Sequence, residues 1–169
     1  NPISAPGNIG AGELYGLKVT FATPVSPLIP GGTLKANATF QDPPVKDPIT
    51  GRARTISEFP RNELTAEFRQ DLQHRGFAWG AKYTYESSKT EYYIDETDRA
   101  RVSPSLDIFV EKGVFKDLRL TISAVSVQGK PELRRRALYD GDRAGSLLSV
   151  EHTRSDPGRW LIVTLSGGL

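Results

Sequence analysis

The chain contains no cysteine. This absence excludes disulfide bonds, zinc sites built on thiolates and cysteine nucleophiles, and it leaves the cellular compartment open. Long hydrophobic runs are also missing, since no stretch approaches the roughly 20 apolar residues of a membrane-spanning helix. Strands that cross a bilayer stay possible, because they alternate apolar with polar residues and hardly register in hydropathy.

The net charge of the chain is small as well. The 22 basic and 20 acidic residues leave a formal net charge of +2. The basic residues are spread along the chain apart from one run at 134–136, so we expect no nucleic-acid partner. Residues 1–4 lack the charged region and the apolar region of a signal peptide, so we expect none here. An exported protein whose signal peptide has been removed would have the same appearance. With 169 residues, the chain fits one domain or a piece of a larger one.

The chain does have a clear two-residue alternation of apolar and polar side chains. It is strong at 14–22, 34–41, 63–69 and 77–86, and weaker at 105–111, 118–124 and 161–166. A helix would need apolar residues three and four apart, so we predict an all-β fold of about seven antiparallel strands. One continuous apolar face should carry Leu17, Val19, Leu34, Ala36, Leu64, Ala66, Ala81, Leu120 and Ile122. Phe109 interrupts the polar face of its strand.

Short and long connections alternate between these strands. The short ones are 25–32, 72–75 and 112–117, and the long ones are 45–59, 87–103 and 128–159. Because successive connections of an antiparallel meander lie at opposite ends, we expect all long connections at one end of the sheet. Outer-membrane barrels have this layout. Within the long connections, 92–94 and 147–150 should extend strands into hairpins, and 139–142 should form a turn.

Several short motifs occur within this frame. They are Pro-Gly-Asn-Ile-Gly at 6–10, Tyr-Gly-Leu at 15–17, Asp-Pro-Ile-Thr-Gly at 47–51, Phe-Arg-Gln-Asp-Leu at 68–72, Phe-Ala-Trp-Gly at 77–80, the strand 103–111 and Leu-Tyr-Asp-Gly at 138–141. Together they resemble the C-terminal barrel region of TonB-dependent outer-membrane receptors of Gram-negative bacteria. The resemblance spans nearly the whole chain.

The resemblance implies that residues 1–169 are a section of a large transmembrane β-barrel of about 22 strands. Such a receptor imports a scarce ligand across the outer membrane with energy from the inner membrane. The implied partners are outer-membrane lipid, the remaining strands and the plug of the receptor, and a small or siderophore-like ligand of unspecified identity. We expect the plug domain and the energy-coupling box to lie outside this sequence. The final residues, 166–169, also depart from the aromatic end that outer-membrane barrels commonly carry.

Catalytic chemistry has little support in the sequence. His74 falls in a tight turn and His152 in a polar stretch, and no serine lies in a nucleophile-elbow pattern. The carboxylates at 139–142 lack the length and spacing of a calcium loop. Those at 95–98 adjoin Arg99 and Arg101, which could neutralise them. We therefore expect no enzyme activity, no cofactor and no metal site.

A ligand-contact hypothesis rests on the long connections. Arginine can bind an anion bidentately, and tyrosine offers amphipathic surface for packing. The candidate residues are Arg134, Arg135, Arg136, Tyr139, Tyr92 and Tyr93.

One alternative stays open at this point. A soluble β-sandwich or partly closed barrel acting as a binding module would bury the same apolar face inside. It would then present Lys18, Glu63, Arg69 and Lys82 to water.

Overall fold

The computed structural model describes residues 13–26, 28–115 and 117–167. This part forms thirteen β-strands and a 3-10 turn at Gln73–Arg75. The strands are β1 Tyr15–Pro24, β2 Gly32–Asp42, β3 Pro44–Lys46, β4 Ala53–Thr55, β5 Asn62–Leu72, β6 Phe77–Glu86, β7 Lys89–Tyr92, β8 Glu96–Arg101, β9 Ser105–Phe115, β10 Leu118–Val125, β11 Glu132–Tyr139, β12 Leu147–Ser155 and β13 Trp160–Gly167. No helix among these residues is long and apolar enough to cross a bilayer.

Seven strands form one antiparallel sheet, in the order β1-β2-β5-β6-β9-β10-β13. Each pairs with the next along the chain once the smaller strands in the long connections are set aside. These are the seven strands that the two-residue alternation predicts, so the all-β antiparallel meander is confirmed. Strands β1 and β13 lie at the two edges, and the sheet is open across the described residues.

One face of this sheet is apolar from edge to edge. Phe21, Ala36, Ala66, Tyr83 and Leu106 lie opposite one another across five strands, and directly opposed residues project from the same face. The same pairing continues through β10 and β13. The residues predicted for one face all lie on it, namely Leu17, Val19, Leu34, Ala36, Leu64, Ala66, Ala81, Leu120 and Ile122.

The apolar face is uncovered. In the described part, each strand of the sheet contacts mainly its hydrogen-bonded neighbours, and no second layer packs against either face. Among the described residues, the buried hydrophobic core consists of only Val45, Ala78 and Ala137. Leu161 is 72% exposed and Leu17 is 60% exposed, although both belong to the apolar set. The sheet therefore has no hydrophobic core of its own.

Phe109 lies on the polar face for a steric reason. It pairs with Gly80 of β6, and a side chain at Gly80 would meet the Phe109 ring at 2.6 Å. The guanidinium of Arg69 lies over the Phe109 ring, 5.6 Å from the ring centroid. The ring thus fills the space above a glycine and beneath a cation, which is compatible with a polar surface.

Four strands form a second, smaller sheet in the order β12-β11-β8-β7. Their order matches that of β13, β10, β9 and β6, which they extend. The pairing of β6 with β9 continues into β7 and β8 without a shift in register. Phe77 lies opposite Lys112, and twelve residues further along, Lys89 lies opposite Ala100, which is twelve residues before Lys112. The predicted hairpins are therefore present as β7–β8 and β11–β12, and residues 147–150 lie in β12 as predicted. Of residues 92–94, only Tyr92 lies in a strand, because β7 ends there and 93–94 belong to the turn that follows.

The connections are sorted by length between the two ends of the sheet. At one end, the Asp71 N–H donates to Gly31 O at 2.9 Å and the Gly113 N–H donates to Gly76 O at 3.0 Å, which ties the short turns together. At the other end, the Glu58 N–H donates to Thr90 O at 3.1 Å, and the other long connections are joined in the same way. The predicted sorting is confirmed.

Some predicted features differ from the structure or lie beyond it. The motif at 6–10, Pro27, Lys116 and the final residues 168–169 lie outside the described residues. The strands β3 and β4 were not predicted, because three-residue strands are too short to show alternation. The prediction that the ligand-contact candidates lie in loops is wrong for most of them, because their backbone pairs with neighbouring strands: residues 134–136 and Tyr139 lie in β11, and Tyr92 lies in β7.

Candidate functional site

The three long connections assemble into one structure, which we call the rim. It comprises 43–61 with β3 and β4, 87–104 with β7 and β8, and 126–159 with β11 and β12. Backbone hydrogen bonds join its parts: the Tyr139 N–H donates to Asp95 O at 2.8 Å, and the Arg143 N–H donates to Ile94 O at 2.9 Å. The rim is an ordered tier of strands above the sheet.

A buried carboxylate holds the rim together. Asp47 is 2% exposed and accepts hydrogen bonds from the backbone N–H groups of Ile49 at 2.8 Å and Thr50 at 3.1 Å. Arg54 donates to it from β4 at 2.9 Å. Arg143, from the turn between β11 and β12, also donates to both carboxylate oxygens of Asp47. One carboxylate thus links two connections that are distant in sequence.

Tyr92 is part of the same junction. The Arg54 guanidinium lies 4.4 Å from its ring centroid, and that of Arg143 lies 5.3 Å from it. Two cations on one aromatic ring are tolerated because both donate to the Asp47 carboxylate and the ring electrons attract both. Of the predicted ligand-contact residues, Tyr92 therefore already packs within the protein.

The pKa of Asp47 reflects this environment. Burial of the carboxyl raises its pKa, but hydrogen bonds from Arg143 and from the backbone of Ile49 and Thr50 stabilise the charged form more strongly. The net result lowers the pKa from 3.8 to about 2. Asp47 is therefore charged at neutral pH.

Strand alternation separates the predicted arginine run. Arg134 and Arg136 project from one face of the smaller sheet, and Arg135 projects from the other. Tyr93 shares the face of Arg134, whereas Tyr92 shares the face of Arg135. The predicted residues thus lie in the same rim but form two surfaces.

The face that carries Arg134 and Arg136 is charge-paired, and we call it the paired face. Arg134 forms an ion pair with Asp98, a buried carboxylate. Arg136 donates to Glu96 at 2.6 Å. These carboxylates raise the pKa of both guanidinium groups, through the hydrogen bonds first and charge second. A groove of about 600 Å³ runs along this face beside Tyr93.

The opposite face has no such pairing, and we call it the cationic face. Arg99 of β8 lies directly opposite Arg135, and Arg135 lies directly opposite His152 of β12. In the next row, Arg101 and Arg154 flank Leu133 on its two sides. The four arginines are exposed, and none forms an ion pair with a carboxylate in the described part.

This surface contains residues that the sequence reasoning missed. Arg99, Arg101 and Arg154 were not among the candidates, although Arg99 and Arg101 are spaced two apart in a polar stretch. That spacing places both on one face of a strand. A groove of about 360 Å³ lies along this face and is lined by all four arginines and His152. The arrangement is suited to binding negatively charged oxygens.

The remaining candidates keep the environments that their sequence positions suggest. His74 is exposed in the 3-10 turn at the opposite end from the rim. Asp95 lies in the turn between β7 and β8, where its backbone carbonyl accepts a hydrogen bond, and Glu96 and Asp98 form the ion pairs of the paired face. No group of three potential metal ligands occurs in the residues that the structure describes.

Comparison with known proteins adds no relative to this picture. No protein-family description matches the chain, and no curated protein or solved structure matches it significantly.

Proposed function

We propose that this chain forms a section of the wall of a TonB-dependent outer-membrane receptor, with its rim on the outer side. The observation that carries the proposal is the combination of an uncovered apolar face with a polar face behind it. Outer-membrane barrels direct the first to lipid and the second to the lumen. The family resemblance of the sequence motifs points the same way.

The apolar face supports a lipid environment. Leu161, Val163 and Leu165 of β13 are 72%, 62% and 62% exposed, and they continue the apolar rows of β10. Each such side chain costs about 1.5–3 kcal/mol to leave in water rather than bury. Hydrocarbon would remove this cost along the whole face.

The polar face supports a lumen. Arg69 donates to Glu111 at 2.8 Å, and Arg119 forms an ion pair with the same carboxylate at 3.1 Å. Arg69 also binds Asp71 through both of its carboxylate oxygens. These ion pairs join β5, β9 and β10 across the face, where water or another polar surface would surround them. A hydrophobic interior would not accommodate this network without a large desolvation cost.

The rim supports a receptor rather than a plain barrel wall. All three long connections are at one end, and they form ordered strands instead of loose loops. Recognition groups on such a tier can change without disturbing strand pairing below it. We assign ligand contact to the rim and barrel stability to the sheet.

The topology can be tested in cells that produce the full-length protein. One epitope is inserted into the turn at 140–146 and, in a separate variant, the same epitope into the turn at 73–76. We expect the protein in the outer-membrane fraction, with antibody labelling of intact cells only for the 140–146 epitope. The 73–76 epitope should become accessible after permeabilisation.

Two outcomes would contradict the proposal. Recovery of the folded protein in the soluble fraction would favour the soluble binding module, in which the apolar face is buried inside. Labelling of the 73–76 epitope on intact cells would reverse the orientation of the rim.

A further inference from the structure

We infer that the cationic face of the rim binds a small, soluble polyanion, a ligand with several phosphate or carboxylate oxygens. This inference names the ligand chemistry of the rim and rests on the proposed function for its position at the mouth of a lumen. The surface itself is defined by Arg99, Arg101, Arg135, Arg154 and His152.

The first argument is the cost of the arrangement. Arg99 and Arg135 are directly opposed on neighbouring strands, and like charges in that position destabilise a sheet. Arg99 has a hydrogen-bond acceptor in Ser88 Oγ, at 2.8 Å from Nη2. A neutral hydroxyl accepts a hydrogen bond but does not cancel the charge. An anion bound across the row would turn this repulsion into attraction.

The second argument is the contrast with the paired face of the same strands. There, Arg134 has Asp98 and Arg136 has Glu96 as carboxylate partners. Unpaired arginine is therefore not a general property of this sheet. The cationic face lacks carboxylates because its other positions are occupied by neutral residues, namely Thr97, Ala137, Val150 and Leu133.

The third argument is size. Neighbouring strands are about 4.8 Å apart, and residues two apart in a strand are separated by about 7 Å. The cations of β8, β11 and β12 therefore cover about 10 Å across the strands and about 7 Å along them. A single phosphate would reach only part of this area. A ligand with two or more charged groups matches it.

The fourth argument is the side of the wall on which the surface lies. The register of β6–β9 continues into β7–β8 without a shift. Residue parity therefore places Arg99 and Arg101 on the same side as Lys82 and Asp107, which belong to the polar face. The cationic face thus looks toward the proposed lumen and away from lipid, which favours a soluble ligand over a lipid headgroup.

The test uses the full-length protein in detergent micelles and tripolyphosphate as the probe, with binding measured by titration calorimetry at low ionic strength. The test variant is Arg99→Gln with Arg135→Gln. The matched control is Arg61→Gln with Lys130→Gln, which removes the same charge from exposed positions outside the cationic face. Circular dichroism of each variant establishes that the fold is intact.

We expect tripolyphosphate to bind the unmodified protein, the test variant to lose at least tenfold in affinity and the control to stay within threefold. Inorganic phosphate should bind at least tenfold more weakly than tripolyphosphate, because it spans less of the surface. Equal affinities of the test variant and the control would overturn the inference, as would no binding at all. Binding to phosphatidylglycerol vesicles without binding to tripolyphosphate would overturn the soluble ligand.

The result also separates this inference from the proposed function. A protein that binds tripolyphosphate through Arg99 and Arg135 but is recovered outside the outer membrane would keep the anion site and lose the barrel assignment. A protein that assembles in the outer membrane but fails the calorimetric test would do the reverse.

Discussion

Asp47 and Arg143 form an ion pair in which the side chains are 2% and 5% exposed, although 96 residues separate them in the chain. Asp47 belongs to the first long connection and Arg143 to the last. The pair therefore links the first long connection of the rim directly to the third. Because the junction is removed from water, loss of Asp47 would leave the charges of both Arg143 and Arg54 without a carboxylate.

Replacing Asp47 with asparagine should open the rim locally. The variant leaves Arg54 and Arg143 without their carboxylate, and breaking a buried pair in this way costs about 3–5 kcal/mol. Amide hydrogen exchange of Ile49 and Thr50 should speed up accordingly in the Asp47→Asn variant. The strands of the seven-stranded sheet should keep their protection.

Asp42→Asn provides the matched control. Asp42 pairs with Arg61 at 3.3 Å, but the two side chains are 64% and 57% exposed, so the change should cost less than about 1 kcal/mol. Equal exchange in the two variants would contradict the role given to Asp47.

Acid should weaken the same junction. The folded pKa of Asp47, about 2, lies below its ordinary value of 3.8. The charged carboxylate therefore contributes stability above the ordinary pKa, and this contribution is lost as the pH falls toward 2. A shift of this size corresponds to about 2 kcal/mol.

The measurement compares the unmodified protein with Asp47→Asn at several pH values. The difference in rim opening free energy, taken from amide exchange corrected for its intrinsic pH dependence, should shrink by about 2 kcal/mol between pH 5 and pH 2. A difference that stays constant over this range would mean that Asp47 does not titrate as described.

Gly80 should not tolerate a side chain. An added Cβ would meet the Phe68 carbonyl oxygen at 2.3 Å and the Phe109 ring at 2.6 Å. Gly80→Ala should therefore cost about 1–3 kcal/mol in unfolding free energy, as overpacking does elsewhere. Gly113→Ala is the control in the same sheet, because its nearest neighbour, Gly76 O, is 3.8 Å away. Urea unfolding that gives both variants the same midpoint would contradict this account.

The sheet could be predicted from the sequence because its signal is local. Residues such as Leu64, Ala66 and Phe68 alternate with polar neighbours, and one face fixes the register of the next strand. The lengths of the connections likewise predict which ones share an end. Neither inference needs knowledge of distant contacts.

The two charged faces of the rim could not be predicted in the same way. Whether Arg134 or Arg135 is paired depends on a carboxylate of β8, Asp98, which lies 36 residues before Arg134 in sequence. Three adjacent arginines look like one charged cluster until strand alternation divides them. The contact between Asp47 and Arg143 has no local signal at all, because it depends on how two loops fold over each other.

The two faces of β10 should respond differently to a charge. Ile122 lies on the apolar face and its neighbour Ser123 on the polar face. Near the bilayer midplane, Ile122→Lys should cost about 2–4 kcal/mol. Ser123→Lys should be close to neutral. Outer-membrane abundance, measured by quantitative immunoblotting, should fall only for Ile122→Lys, and an equal effect of both changes would argue against lipid on that face.

The central claim is that the apolar face of the seven-stranded sheet contacts lipid, and spin labelling along β10 tests it most directly. The chain has no cysteine, so single cysteines at 119–124 can be labelled without background. For the full-length protein in bilayers, we predict an accessibility to oxygen that alternates with a period of two and peaks at 120, 122 and 124. Collisions with a water-soluble nickel complex should peak at 119, 121 and 123. A uniform profile, or oxygen maxima at the odd positions, would contradict the claim.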